Sequence, residues 1–239
     1  MPLPGPEPQD EPQPMGRLMS ESQVLLRYNA DSTTWQRIPT QGILVSEELL
    51  VALPGYRPKI TLSTGVTLQL LGSTRIQLLA TDQQQLAGVK VFFGRMLIMP
   101  LAEAGTRARL AVGNRTGVIT FTDAESVAAV EVTPVRIPGT DPEANPASVT
   151  TNLYAQSGEI LWEEAEREPV RLQARTCLVM GSEPTQVPIT VEEFPKWIAL
   201  EPLSDLDRRA SSKLEQSLVV DRPPSLVLRE LADPDHRQE

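Results

Sequence analysis

Lys59-Ile-Thr-Leu-Ser63, Val66-Thr-Leu-Gln-Leu70, Thr74-Arg-Ile-Gln-Leu78, Val89-Lys-Val-Phe-Phe93 and Arg95-Met-Leu-Ile-Met99 are five short runs in which apolar and polar side chains alternate. Successive side chains of a strand point to opposite faces, so alternation of period two reads as half-buried β-structure. Gly65, Gly72, Gly88, Gly94, Gly113 and Gly117 punctuate the runs and read as strand ends, where the backbone often needs positive φ. Val127-Ala-Ala-Val-Glu-Val132 and Val149-Thr-Thr-Asn-Leu-Tyr154 extend the pattern, and Gly158-Glu-Ile-Leu-Trp162 and Val170-Arg-Leu172 flank an acidic turn. Many strands at short spacing predict a mainly β body from Lys59 to Met180, built as a sandwich, a barrel or a coiled roll.

On the N-terminal side, Gln23–Tyr28 and Trp35–Ile38 flank Asn29-Ala-Asp-Ser32, a stretch whose short polar side chains favour turns, so a hairpin is expected. Leu49–Leu53 ends at Pro54-Gly55 and reads as another strand. Residues 1 to 20 begin with six prolines in the first sixteen positions and are expected to be an extended, disordered linker. On the C-terminal side the period changes after Pro188. Thr190-Val-Glu-Glu193 has the form of a capping box and predicts a short helix carrying Phe194, Trp197 and Ile198 on one face. Ser204 to Leu218 predicts an amphipathic helix with Leu206, Leu214 and Leu218 on its apolar side. Pro223-Pro224 stops it, and Leu226–Leu231 could open another helix. The expected division is therefore 1–20 linker, 21–183 β domain, 184–218 helical appendage and 219–239 tail. The pair Val91–Ile98 and Tyr154–Leu161 both read as strand, Gly, strand, a weak internal echo.

Composition narrows the function classes. The 239 residues are 40% hydrophobic but only 4% aromatic, so the core must rest on Leu, Val and Ile. A net charge of −9 repels phosphate backbones, which argues against nucleic acid and anionic membrane as partners. The chain contains no run of about 18 apolar residues, so no membrane insertion by this segment is expected. The start, Met1-Pro-Leu-Pro-Gly-Pro, lacks the basic and apolar regions of a signal peptide.

Candidate chemistry is sparse. The one histidine, His236, sits three residues from the end, too far into a tail to serve a Ser–His or Cys–His mechanism or a zinc site. Cys177 lies in an apolar run and reads as a small buried hydrophobe. Nucleotide-binding glycine motifs and nucleophile elbows are missing. Glu159, Glu163, Glu164, Glu166 and Glu168 crowd one turn and read as a solvated tip; Asp141 and Glu143 sit in a long polar loop without the spacing of a calcium site. Trp162 and Trp197 are expected to form a small cluster fastening helices to the β body. Catalytic, cofactor and metal residues are therefore all expected to be none.

Gly65-Val-Thr-Leu-Gln-Leu-Leu-Gly-Ser-Thr-Arg-Ile-Gln-Leu-Leu79, Val89–Ile98, Gly117-Val-Ile-Thr-Phe121, Val127–Val132 and Leu153–Trp162 together resemble the FecR-type domain. This is the envelope-side β domain of bacterial sigma-factor regulators, and the likeness is greatest to the divergent FecR-like domains of planctomycete-type bacteria. It spans roughly half the chain. The family's usual Gly-Thr-x-Phe-x-Val is here Gly117-Val-Ile-Thr-Phe121. The resemblance implies a FecR-like β-roll or sandwich with no catalytic residues. It also implies an extracytoplasmic location in the periplasm or cell envelope, an upstream transmembrane helix beyond this segment, and a protein or cell-envelope component as partner, with signal transduction as the role. Strand edges at Val127–Val132 and Val149–Tyr154 are the expected docking points, by addition of a partner strand. A carbohydrate-binding β-sandwich and a structural segment of a larger envelope protein are the alternatives.

Overall fold

Two long antiparallel strands, β7 (Val66–Leu79) and β8 (Gly88–Pro100), run through the centre of the fold, and both are bent part-way along. The computed structural model describes residues 12–21, 24–135, 148–181, 187–200, 204–218 and 224. The bend falls where Gly72 and Gly94 take positive φ, +65° and +107°. There, four steps of β7 (Leu71 to Arg75) oppose two steps of β8 (Arg95 to Phe93), and Phe92 is then the extra residue between Phe93 and Val91. Such bulges re-aim a strand. On β8 the extra residue flips the face: Val89 and Val91 point into the core before it, Met96 and Ile98 after it. Gly72, Gly94 and Gly117 therefore lie within strands, and what read as two pairs of short strands is one pair of long bent ones.

Each half of the bent pair nucleates one layer. The first layer runs from β3 (Thr34–Arg37) through β2 (Leu25–Asn29) and β5 (Leu49–Ala52) to the second half of β7 and the first half of β8. It continues through β9 (Arg107–Val112), parallel to β8, then β10 (Arg115–Phe121), β13 (Ile160–Glu164) and β14 (Val170–Leu172). The second layer runs from β4 (Ile43–Val45) through β1 (Pro14–Leu18) and β6 (Lys59–Leu62) to the first half of β7 and the second half of β8. From there it passes to β11 (Val127–Val135), β12 (Ser148–Ser157), β15 (Thr176–Met180) and β16 (Ile189–Thr190). The protein is thus mainly β, a rolled sandwich with a small C-terminal helix among the described residues, and its main apolar core draws on both layers. Leu68, Leu70, Ile76, Leu110, Ile119, Phe121, Val130, Leu153 and Trp162 are at its centre, all at most 1% exposed. Each such side chain contributes about 1.5–3 kcal/mol on burial.

The linker expected over residues 1–20 ends earlier. Pro14–Leu18 is β1, wedged between β4 and β6, with Met15 and Leu18 buried in the core. Pro14 stands at the start of the strand, where its missing N–H is tolerated. Residues 1–11, the loop carrying Asp141 and Glu143, and the expected helix at Leu226–Leu231 lie outside the described residues.

Each layer also has an apolar patch on its outer face, and a C-terminal segment covers each patch. Helix α1 (Asp205–Ser217) lies on the first layer. It starts at Ser204, whose Oγ accepts the Asp207 N–H at 3.1 Å, and Asp205 and Asp207 favour the positive end of the helix dipole. Leu214 and Leu218 pack against Val24, Leu26, Leu53 and Tyr56, while Leu206 stays exposed and does not join them. Tyr56 donates its hydroxyl proton to the Ser211 carbonyl at 2.6 Å, and Arg37 pairs with Glu215 at 3.1 Å. Tyr56→Phe removes that tie without opening a cavity. It is expected to destabilise helix docking by about 1 kcal/mol, seen as faster amide exchange across 205–217 while core strands keep their protection.

The second patch is covered by residues 187–200, where a helix was expected from Thr190. Ile189–Thr190 is instead the strand β16, and the chain continues as tight turns, with the Ile198 N–H bonded to the Pro195 carbonyl at 2.9 Å. Pro195 has no N–H to give to a helical ladder, so the capping-box pattern is overridden. Phe194, Trp197 and Ile198 still reach one patch, made by Leu71, Leu97, Ala129, Tyr154 and Cys177.

Candidate functional site

The crowded glutamates at the end of β13 do not behave as one solvated tip. The Glu164 side chain is buried, 7% exposed, and is held by three groups. Arg115 donates from Nε at 2.8 Å and also pairs through Nη2, the Trp162 indole N–H donates at 2.7 Å, and Arg167 pairs at 3.3 Å. Trp162 and Glu164 are two residues apart on β13 and so share a face, and Gly117 on β10 lies opposite Glu164. A Cβ at Gly117 would come 2.6 Å from the Trp162 ring, so glycine is what admits the indole there. Trp162 belongs to the main core, whereas Trp197 lies on the outer face of the second layer, edge-on to Tyr154 at 6.1 Å. The two tryptophans therefore do not form the common cluster that their sequence context suggested. The internal echo likewise dissolves: Gly94 is a mid-strand bulge, Gly158 a turn between β12 and β13.

Cys177 is buried beside Tyr154 under the covering segment. Burial pushes the Cys177 thiol up to about 11 and the Tyr154 phenol up to about 12. The thiol is thus expected to react slowly with alkylating reagents in the folded protein and fast in denaturant. The native state holds the Cys177 proton more tightly than the unfolded chain, whose ordinary value is 9.0, so stability present below that pH is lost as pH rises towards about 11. Thermal unfolding should show Tm falling through this window, and Cys177→Ala should remove the part of the fall that begins near 9, leaving the share of Tyr154, whose phenol is raised from 10.0 to about 12.

The strand edges expected at Val127–Val132 and Val149–Tyr154 are not edges. β11 is paired on both sides, by β8 and β12, and β12 by β11 and β15. The strands with one partner among the described residues are β3, β4, β14 and β16. Ile43 on β4 and Ile189 on β16 are exposed there, at 51% and 54%.

A cleft of about 450 Å³ opens at one end of the roll, between the layers. The first layer supplies Lys90 and Phe92 from β8 and Asn114 and Arg115 from the tight Gly113-Asn114 turn that joins β9 to β10. The second layer supplies Ser148 and Thr151 from β12. Val112, Val149 and Met180 form its apolar wall. Neither Lys90 nor Arg115 stood out in the sequence, because both read as solvated positions of alternating strands. Among the described residues no group of three or more His, Cys, Asp or Glu is placed to hold a metal ion, and no helix is long and apolar enough to cross a membrane. His236 lies outside the described residues.

No family model matches this chain, and no curated protein matches it. Two crystal structures of a candidate anti-sigma factor from Parabacteroides distasonis, at 1.65 and 2.50 Å resolution, are similar to it at 10% sequence identity with a TM-score of 0.42. The match covers 63% of this chain and 62% of that one, less than two thirds of that protein's length.

Proposed function

We propose that this chain is a non-enzymatic, FecR-like binding and regulatory domain that works outside the cytoplasm and engages a protein or another component of the cell envelope. One observation carries the reading. The five stretches that bear the resemblance become β7, β8, β10, β11 and the β12–β13 pair, the strands that make the bend and join the two layers. The resemblance therefore falls on the framework of the fold and not on scattered surface segments.

Because β11 and β12 are interior, a partner strand would have to add at a terminal strand; of these, β4 and β16 offer the exposed apolar side chains Ile43 and Ile189. Crosslinking in the source cells, followed by fractionation, tests the reading. The expected result is an envelope-located protein whose captured partner is lost on Ile189→Lys or Ile43→Lys. A cytosolic location, or capture indifferent to both substitutions, overturns it.

A further inference from the structure

We propose that the cleft at the open end of the roll binds a small organic acid: a carboxylate on an apolar body, with Lys90 and Arg115 supplying the counter-charge. The inference stands apart from the identity of any protein partner. The sign of the charge reverses locally at the cleft. The protein carries a net −9, yet the described residues lining this cleft include two cations and no carboxylate.

Lys90 has no counter-charge among the described residues, and Arg115 shares its one, Glu164, with a second guanidinium. Lys90 makes no ion pair among the described residues; its Nζ lies over the Phe92 ring, 5.1 Å from the centroid, and the Arg75 guanidinium lies 5.0 Å from the same ring. The Arg115 side chain is 9% exposed; its Nε donates to Glu164 and its Nη2 lies within ion-pair range of the same carboxylate, but neither Nη1 nor Nη2 has a hydrogen-bond partner among the described residues. Glu164 is in turn shared with Arg167, so one negative charge faces two guanidiniums and the trio keeps a net positive charge. A buried guanidinium edge without a partner is costly unless something accepts from it.

The remaining lining sets the class of ligand. Asn114, Ser148 and Thr151 offer amide and hydroxyl groups that fix the orientation of a polar head. Val112, Val149 and Met180 offer a wall for an apolar tail. A volume of about 450 Å³ is within the roughly 300–1,000 Å³ range of small-molecule sites. An inorganic anion would leave that wall unused, and a neutral apolar molecule would leave both cations unanswered.

The test uses the full chain, titrated by calorimetry and by amide NMR with decanoate and with N-acetylphenylalanine. N-acetylphenylalaninamide is the neutral control and inorganic phosphate the small-anion control. The expected result is binding of an acid with shifts centred on the Asn114, Ser148 and Thr151 amides. Affinity should fall about ten-fold or more both for the neutral amide and on Lys90→Gln, since each removes a charge-assisted contact. Lys90 is on the cleft rim and not in the core, so its variant is expected to fold, and its NMR spectrum verifies this. Four outcomes overturn the proposal: no binding of either acid at millimolar concentration, equal binding of the amide, indifference to Lys90→Gln, or phosphate binding as tightly as the acids.

Discussion

Gly94→Ala is expected to lower stability by about 3 kcal/mol or more, the sum of a backbone term of about 1–3 kcal/mol and an overpacking term of similar size. At φ +107° an L side chain is strained wherever it points. Here it also has nowhere to go, because a Cβ would sit 2.4 Å from Thr74 Oγ1, 2.5 Å from Thr74 Cα and 2.6 Å from the Ser73 carbonyl oxygen. Thr74 cannot yield easily. It is fully buried, its hydroxyl lies 3.0–3.1 Å from the Leu71 and Arg95 carbonyls, and it accepts the Arg95 N–H at 3.0 Å. The two bulges thus lock each other. For a chain of this size the loss corresponds to a Tm lower by about 6–12 °C. Gly65→Ala is the control: it has a similar positive φ of +80° but open space around the added carbon. It should cost about 1 kcal/mol, and the difference between the two variants measures the close approach. Thr74→Ala in the Gly94→Ala background should not rescue it, since the clashes with Thr74 Cα and Ser73 O remain. Equal Tm values for the two glycine variants would remove the bend from the list of determinants of this fold.

That bend shows how far the sequence could be read. Alternation placed most of the strands, the Asn29–Ser32 turn placed a hairpin, and Ser204 placed the start of the helix, because each of these signals is local. What alternation could not show is that Gly72 and Gly94 interrupt a strand without ending it. A glycine at positive φ closes a hairpin or bends a strand depending on what stands across the ladder, and the partner is a matter of tertiary pairing. β1 was hidden for a related reason: Met15 and Leu18 are two apolar residues in a proline-rich stretch, and only the slot between β4 and β6 turns them into core. At 187–200 the sequence marks the apolar residues but not their conformation, since burial against Tyr154 and Leu97 needs those side chains on one surface and does not need a helix to present them.

The cleft was less legible still. Arg115 follows a Gly-Asn turn and Lys90 alternates with Val89 and Val91, which is how solvated strand residues look. Nothing in the chain marks Glu164, forty-nine residues further on, as the partner of Arg115; only the register of β10 on β13 brings them together. A glutamate among five in one turn reads as surface, and the Trp162–Glu164 spacing becomes meaningful only once Gly117 has made room for the indole.

Glu164→Gln therefore tests whether that pairing is structural. With side chains 9% and 7% exposed, the Arg115–Glu164 pair sits largely out of water. Removing the charge of one partner leaves the other uncompensated, a loss of about 3–5 kcal/mol in comparable buried pairs. The amide of glutamine can still accept from the Trp162 indole and from Arg115, so the expected loss is towards the lower end, about 3 kcal/mol. Arg167, half in solvent, can approach no closer to compensate, because its own charge has the same sign as that of Arg115. The double replacement Arg115→Leu with Glu164→Leu removes both buried charges and keeps the volume apolar; it should be less destabilising than Glu164→Gln alone, since the one charge left without its partner, Arg167, is in contact with solvent and the remaining loss is the acceptor of the Trp162 indole N–H. Chemical denaturation of the three proteins decides the matter. If the double variant is the least stable, the pair contributes net stabilisation to the fold; if Glu164→Gln is neutral, water reaches Arg115 freely and the cleft does not hold its cation as described.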